Sequence, residues 1–402
     1  MGAWRKGIGA NMKSENLMGY LGEYLRWRGD LTFSQAPFCY ADSLALTMLS
    51  YLNPEEVSKD QNSLKNVKLR ELAQRYARFY IPVKKPSKLS MMARAPELLA
   101  IMASCARFSE VEMTDYDCYV DTELEGQFAA MTFRFGEHSI YITYRGTDNN
   151  MIGWKEDFNM SYLNSVPAQK SAVQYLSNQY SRRWRQIILG GHSKGGNLAV
   201  YAAACADSRV KSSIRGVHNF DGPGFSEDFF EDEGYSEISE RVISFLPQGS
   251  LIGRLFEHRS QVKILKSDSR GIMQHIPFHW NIEGGDFLYV KEFDASSRIF
   301  RDIMTAWLSE PDSREKKMFI DAVFDVLEDT GISTTEELKV NISKIRPLIQ
   351  SVGGLPKESR VNFLRMIGAL LKETGYAVQQ SLFSSDAQER QGDKKESVNL
   401  WN

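Results

Sequence analysis

Gly190-Gly191-His192-Ser193-Lys194-Gly195-Gly196-Asn197 contains the pattern G-x-S-x-G, centred on Ser193. The apolar run Ile187, Ile188, Leu189 precedes it, and the helix-compatible run Leu198 to Ala204 follows. A strand, a sharp glycine-flanked turn and a helix, in that order, form the setting in which a serine becomes an exposed nucleophile. Gly191 and Gly195 carry no Cβ, so the backbones can approach closely. The helix N-terminus then aims its N–H groups at developing negative charge. The pattern alone recurs by chance, and a merely structural glycine-rich turn is the competing reading. Its flanks favour a nucleophilic Ser193.

On the N-terminal side, Ala129, Met131, Phe133 and Phe135 alternate, a turn containing Gly136 follows, and Ile140, Ile142 and Tyr144 alternate again. That is a β-hairpin ending at Arg145-Gly146-Thr147. Further strands are expected at Gln186 to Leu189, Ile214 to Phe220, Arg241 to Leu246 and Val262 to Lys266, with helices at Ala172 to Arg183 and Lys194 to Ala206. Strands alternating with helices predict a three-layer α/β sandwich with active loops at the strand C-termini. Residues 15 to 108 read mostly as helices, with Asp42 capping Ser43 to Leu52 and turns at Asn53-Pro54 and Lys85-Pro86. From about Asp294 the period is helical again, with apolar stripes at Phe300 to Leu308, Phe319 to Leu327 and Phe363 to Leu371. The expected division is a disordered N-terminus at 1–14 and an α/β domain with a helical N-terminal part at 15–292. A helical region at 293–383 and a polar tail at 384–402 complete it.

The 402 residues are 42% hydrophobic and 25% charged with a formal net charge of −2, an ordinary globular profile that gives no reason to expect nucleic acid. Cys39, Cys105, Cys118 and Cys205 show no C-x-x-C spacing and read as free core thiols in a reducing compartment. No stretch approaches the roughly 18 apolar residues of a membrane span, and no secretory signal is visible. The expected location is cytoplasmic. No His/Cys/carboxylate cluster has metal-ligand spacing, so neither metal nor organic cofactor is expected.

A hydrolytic serine needs a base, an orienting acid and an oxyanion hole. Of six histidines, His138 sits in the hairpin turn, His192 beside the serine with its ring pointing away, His218 in a strand and His258 in a charged stretch. His275 and His279 follow the last strand, and the hydrolase chain order, with the base last, favours one of these two. Either could instead simply pack beside Trp280. For the acid, Asp221 ends the strand Ile214 to Phe220. Its rival role is to hold the Gly222-Pro223-Gly224 turn by side-chain bonds to backbone. Asp268 is the second candidate. The Lys194 backbone N–H, and an N–H and hydroxyl from Thr147, are the expected oxyanion donors, unless Arg145-Gly146-Thr147 is an ordinary strand end.

Arg145-Gly146-Thr147-Asp148, Gly153-Trp154-Lys155-Glu156-Asp157-Phe158, the Gly-His-Ser-Lys-Gly turn and Phe220-Asp221-Gly222-Pro223 together resemble the class-3 (fungal-type) lipases of the α/β-hydrolase superfamily. More closely, the set resembles a bacterial lipase-like family catalogued as a domain of unknown function, whose N-terminal pattern Tyr24 to Phe33 is similar to. The resemblance spans roughly residues 15 to 290. It implies an α/β-hydrolase fold, an oxyanion role for Thr147, a lid over Asn149 to Phe158 and His275 rather than His279 as base. The chain departs from the pattern where the usual lipase acid stands, since Pro247-Gln248-Gly249-Ser250 holds no carboxylate. Asp221 must then serve, or a Ser–His dyad operates. Lys194 beside the serine is also unusual and would favour acyl groups with an anionic neighbour.

The resulting expectation is a serine hydrolase of carboxylic esters, lipid or acylglycerol esters among them. Ser193, His275 and Asp221 would form its triad, with Thr147 and Lys194 N–H groups at the oxyanion. Its partners would be a small-molecule or lipid ester and, transiently, a membrane surface. A catalytically silent lipase-like binding protein, and a thioesterase, acyltransferase or peptidase, are the alternatives. The sequence leaves oligomeric state open.

Overall fold

The computed structural model of the protein describes residues 18–58, 64–80, 90–121, 126–147 and 165–308. Four helices come first: α1 (Gly19–Arg28), α2 (Tyr40–Leu49), α3 (Leu69–Phe79) and α4 (Met91–Ser104), with the short strand β1 (Val67–Lys68) between α2 and α3. Three long strands follow, β2 (Glu112–Asp121), β3 (Gly126–Gly136) and β4 (Ser139–Tyr144). Then come α5 (Pro167–Gln179), β5 (Gln186–His192), α6 (Lys194–Ala204), α7 (Ser208–Ser213) and β6 (Ile214–Phe220). Two single-turn helices, α8 (Glu227–Phe230) and α9 (Glu233–Ser236), lead to β7 (Val242–Pro247) and β8 (Gln261–Leu265). A small hairpin, β9 (Ile282–Glu283) and β10 (Asp286–Phe287), and α10 (Ala295–Leu308) close the described chain.

The eight strands β1 to β8 form one sheet in sequential order, antiparallel from β1 to β4 and parallel from β4 to β8. A parallel sheet wound in sequence order carries its right-handed crossovers on one face. Accordingly, α5 and α6 share one apolar layer with Ile140, Ile142, Ile187, Leu189 and Val217. Pro167 opens α5 at a position where its missing N–H costs nothing, and Gln169 accepts from the Val166 N–H. The opposite face would be left bare. It is covered by the N-terminal helices and by Ile276, Phe278, Trp280 and Phe287, which pack on Met131, Phe133, Tyr141, Ile188, Phe220 and Phe245. The N-terminal segment is therefore half of the core, and the architecture is the expected three-layer α/β-hydrolase-like sandwich.

The hairpin and the four later strands lie where alternation and apolar runs put them. β2 escapes a sequence reading because Glu112, Asp115, Asp117 and Asp121 disfavour a strand and its half-exposed faces blur the alternation. It forms because β3 pairs with it along nearly its full length. Asp42 stands three residues inside α2 rather than at its cap: its Oδ2 accepts from the Cys39 N–H at 2.9 Å. The reason is its second partner, Arg107, whose Nε and Nη2 donate to the two carboxylate oxygens at 2.7 and 2.6 Å. Arg107 also donates to the carbonyls of Leu31, Ala36 and Pro37 and covers the Phe33 ring, so it locks the loop after α1. The cysteines are free: Cys39 and Cys105 are half-buried and pack against the core, Cys118 is half-buried, and Cys205 is exposed. The turn at Lys85-Pro86, the stripes at 319–327 and 363–371, the tail and the expected lid fall outside the described residues. Among those residues, no helix is long and apolar enough to cross a membrane.

Candidate active site

Strand register brings three segments to one rim. Tyr144 pairs with Gly191, His192 with Phe220, and Phe220 with Phe245. The residues just beyond these strand ends, Gly146, Ser193 and Asp221, therefore leave the sheet side by side. Ser193 sits at φ 58 and ψ −135, a backbone conformation that L-residues avoid and that costs about 1–3 kcal/mol. The bend requires the flanking glycines. A Cβ on Gly191 would lie 2.0 Å from the Gly195 carbonyl oxygen, and one on Gly195 would lie 2.0 Å from that of Tyr144. A Cβ on Gly146 would come within 2.9 Å of the Ser193 Cβ, which sets the end of β4, and with it half-buried Thr147, beside the serine. Lys194 opens α6, so its N–H belongs to the helix's first turn.

Asp221 also has positive φ, at 52, and is fully buried. Its Oδ2 accepts from the His275 Nδ1–H at 2.6 Å. Its Oδ1 accepts from the Ser250 hydroxyl and, at 3.2 Å, from the Gly253 N–H. The rival role for Asp221, holding the Gly-Pro-Gly turn, is performed by two asparagines. Asn219 Oδ1 accepts from the Gly222 N–H at 2.8 Å, and Asn197 Nδ2 donates to the Gly224 carbonyl at 2.9 Å. Asp221 is thereby left to the histidine. Asp268, the other acid candidate, accepts from the Tyr20 hydroxyl on α1, and its N–H donates to the His279 carbonyl.

His275 ends a 3₁₀ turn, Gly271–His275, and its side chain is 21% exposed, so one edge of the ring reaches the rim. With Nδ1 committed to Asp221, Nε2 is the nitrogen left to take a proton. No hydrogen bond joins the Ser193 hydroxyl to this ring among the described residues; such contacts commonly close only when substrate binds. The neighbouring Gln274 fixes the turn: its carbonyl accepts from Trp280 Nε1 at 2.7 Å and its Oε1 from the Gly249 N–H at 2.9 Å. His279 is half-buried, and burial, with Arg94 nearby, lowers its pKa.

Four features were not read from the sequence. The ring of His192 lies 4.5 Å, centroid to centroid, from that of His275 instead of pointing clear of the site. Tyr51, from the segment after α2, bonds to it. Ser250 fills the place where a carboxylate was missed, and supports Asp221 instead of replacing it. The Lys194 ammonium is buried, donating to the Gln127 carbonyl on β3 at 3.0 Å, and is not presented to an acyl group. His138 lies in the β3–β4 turn. Burial lowers the pKa of His218 to about 3 and of His258 to about 4. His218 bonds to Ser43 through Nδ1, and His258 bonds to the Gly253 carbonyl through Nε2. No group of three or more His, Cys, Asp or Glu side chains suited to a metal occurs among the described residues.

No curated protein matches the chain. Among solved structures it is similar to M37 lipase, at 13% sequence identity and a TM-score of 0.36, over 67% of this chain and 81% of that one. Residues 102–325, more than half of the sequence and the stretch that contains the serine turn, Asp221 and His275, match the Mbeg1-like family, and the chain belongs to it.

Proposed function

We propose that the protein is a serine hydrolase of carboxylic esters, with lipid or acylglycerol esters as the substrate class. The observation that carries this is the pairing of His275 Nδ1 with a fully buried Asp221 on the same rim as a strained Ser193 at a strand-to-helix bend. Ser193 Oγ attacks the ester carbonyl while His275 Nε2 takes its proton. Asp221 holds the ring in the Nδ1–H tautomer and stabilises the imidazolium. The tetrahedral oxyanion is met by the Lys194 and Thr147 N–H groups, each worth about 3 kcal/mol in such sites. The imidazolium returns its proton to the leaving alcohol, and water repeats the sequence to free the acid and regenerate Ser193. Exclusion of an acid at the end of β7 does not weaken this. Ser250 and the Gly253 N–H supply the two bonds that keep Asp221 aimed at His275.

A series of p-nitrophenyl esters of increasing chain length, run beside thioester and amide substrates, tests the reading. Turnover of esters above the others, lost in Ser193→Ala, supports it. Preference for thioesters or amides assigns the same machinery to another acyl-transfer class. Absence of all turnover leaves the silent lipase-like module.

A further inference from the structure

A second histidine lies against the first, and its bonding is determined by chemistry. His192 Nε2 is 2.9 Å from the main-chain carbonyl oxygen of His275. A carbonyl only accepts, so Nε2 carries the proton. Nδ1 is then the lone-pair nitrogen, and the Tyr51 hydroxyl, at 2.8 Å, donates to it. Both residues are buried, at 3% and 1% exposure. Burial, with the His275 ring beside it, keeps the His192 imidazole well below its ordinary pKa, so it stays neutral. Tyr51 belongs to the N-terminal helical segment and His192 to the last position of β5. His275 comes from a turn more than eighty residues further along the chain. The three meet only because the N-terminal segment covers this face of the sheet.

We propose that Tyr51 and His192 are positioning residues: the pair fastens the main chain of His275 to the end of β5, one residue from Ser193. This rests on the ester-hydrolase reading for its catalytic meaning, since the base it holds is His275. Asp221 fixes the His275 ring from one side and Gln274 anchors the turn one residue away, but neither bonds the main-chain carbonyl of His275. His192 fixes that backbone. A neutral, Nε2-protonated His192 also leaves His275 as the one member of the adjacent pair that takes a proton. The N-terminal segment thereby serves the site as well as the core.

The test pairs hydrogen exchange with turnover in Tyr51→Phe, His192→Gln and His192→Phe. Gln keeps a donor for the His275 carbonyl, whereas Phe keeps only the ring. The reporters are the amides of Ile276, His279 and Trp280, which are hydrogen-bonded within the turns around His275. His192→Phe is expected to speed their exchange about tenfold, Tyr51→Phe less, and His192→Gln least. In the same order kcat falls, by about 10²-fold in His192→Phe, with KM nearly unchanged, because a small misplacement of the base costs rate and not binding. Unchanged exchange in Tyr51→Phe and His192→Phe overturns the proposal, as does faster exchange with kcat intact. If His192→Phe does not fold, Tyr51→Phe and His192→Gln carry the comparison. If the wild type turns over no ester, the hydrolase reading fails by itself. Exchange then still decides whether the pair fastens this segment.

Discussion

Asp42 and Asp221 are both fully buried carboxylates, and they answer the cost of burial in opposite ways. Asp42 faces Arg107, a permanent cation that meets it with two bonds and is itself 1% exposed at its side chain. The Tyr24 hydroxyl, the Cys39 N–H and the Cys39 thiol occupy the remaining acceptor sites, and burial beside Asp42 pushes the pKa of both Tyr24 and Cys39 up, so both keep their protons. Asp221 faces an imidazole on a side chain 21% exposed, with a second nitrogen left over. A carboxylate against a guanidinium is a finished ion pair, whereas against a histidine it is a device for accepting charge. The first lies beneath the N-terminal helices and the second on the rim where the parallel strands end.

Neutralising the two acids separately breaks the comparison most sharply. Asp221→Asn keeps the size of the group and presents the histidine with the wrong hydrogen-bonding partner, and ester turnover should fall by about 10⁴-fold in a stably folded protein. A fall of less than tenfold would mean that Asp221 does not orient a catalytic base. Arg107→Met should behave in the contrary manner. It strands the Asp42 charge, so urea unfolding should show a loss of about 3–5 kcal/mol, with turnover of the folded fraction unchanged. A loss below about 1 kcal/mol would show the cluster to be incidental.

Ser250→Ala sharpens the comparison from within the rim. Removing one charge-assisted bond to Asp221 should lower kcat about 30-fold, through positioning and not through binding. The Ser250 carbonyl also accepts from Ser297 on α10 at 2.6 Å, a bond the alanine retains, so the loss of stability should stay within the roughly 1–3 kcal/mol of the one missing bond.

Much of this was legible in the sequence for identifiable reasons. The serine turn declares itself because its glycines are required by close backbone approach, β4 because its residues alternate within the hairpin, and β5 to β7 because buried parallel strands are rich in apolar residues. Asp221 could be nominated from a strand end and the pair His275 and His279 from chain order, with His275 singled out by the resemblance alone. Choosing Asp221 over its turn-holding role required knowing that Asn219 and Asn197 do that work. What could not be read depends on contacts distant in sequence. Tyr51 and His192 are 141 positions apart and Ser250 is 29 from Asp221, and no local period reports either pairing. The polar residues in the strand next to the hairpin hide it for the opposite reason, since its neighbour and not its own pattern makes it a strand.

The buried histidines give the smallest and most distributed effect. His218 and His258 have folded pKa values of about 3 and about 4, below the ordinary 6.5, and His192 is also lowered. Between those values and pH 6.5 the unfolded chain binds protons that the folded protein refuses, so stability falls as pH drops through that window. Each contributes at most about 1.4 kcal/mol per pH unit. Urea midpoints measured from pH 7 to pH 4.5 should decline, and His218→Asn should flatten the slope. A slope unchanged by that substitution would contradict the neutral, buried assignment.

The central claim is that Ser193 is a nucleophile activated by His275. A fluorophosphonate probe followed by peptide mapping tests it without any choice of substrate. One modified residue is expected, Ser193, with labelling abolished in Ser193→Ala and slowed severely in His275→Ala. No labelling of the folded wild-type protein, or a modified serine elsewhere, would contradict it.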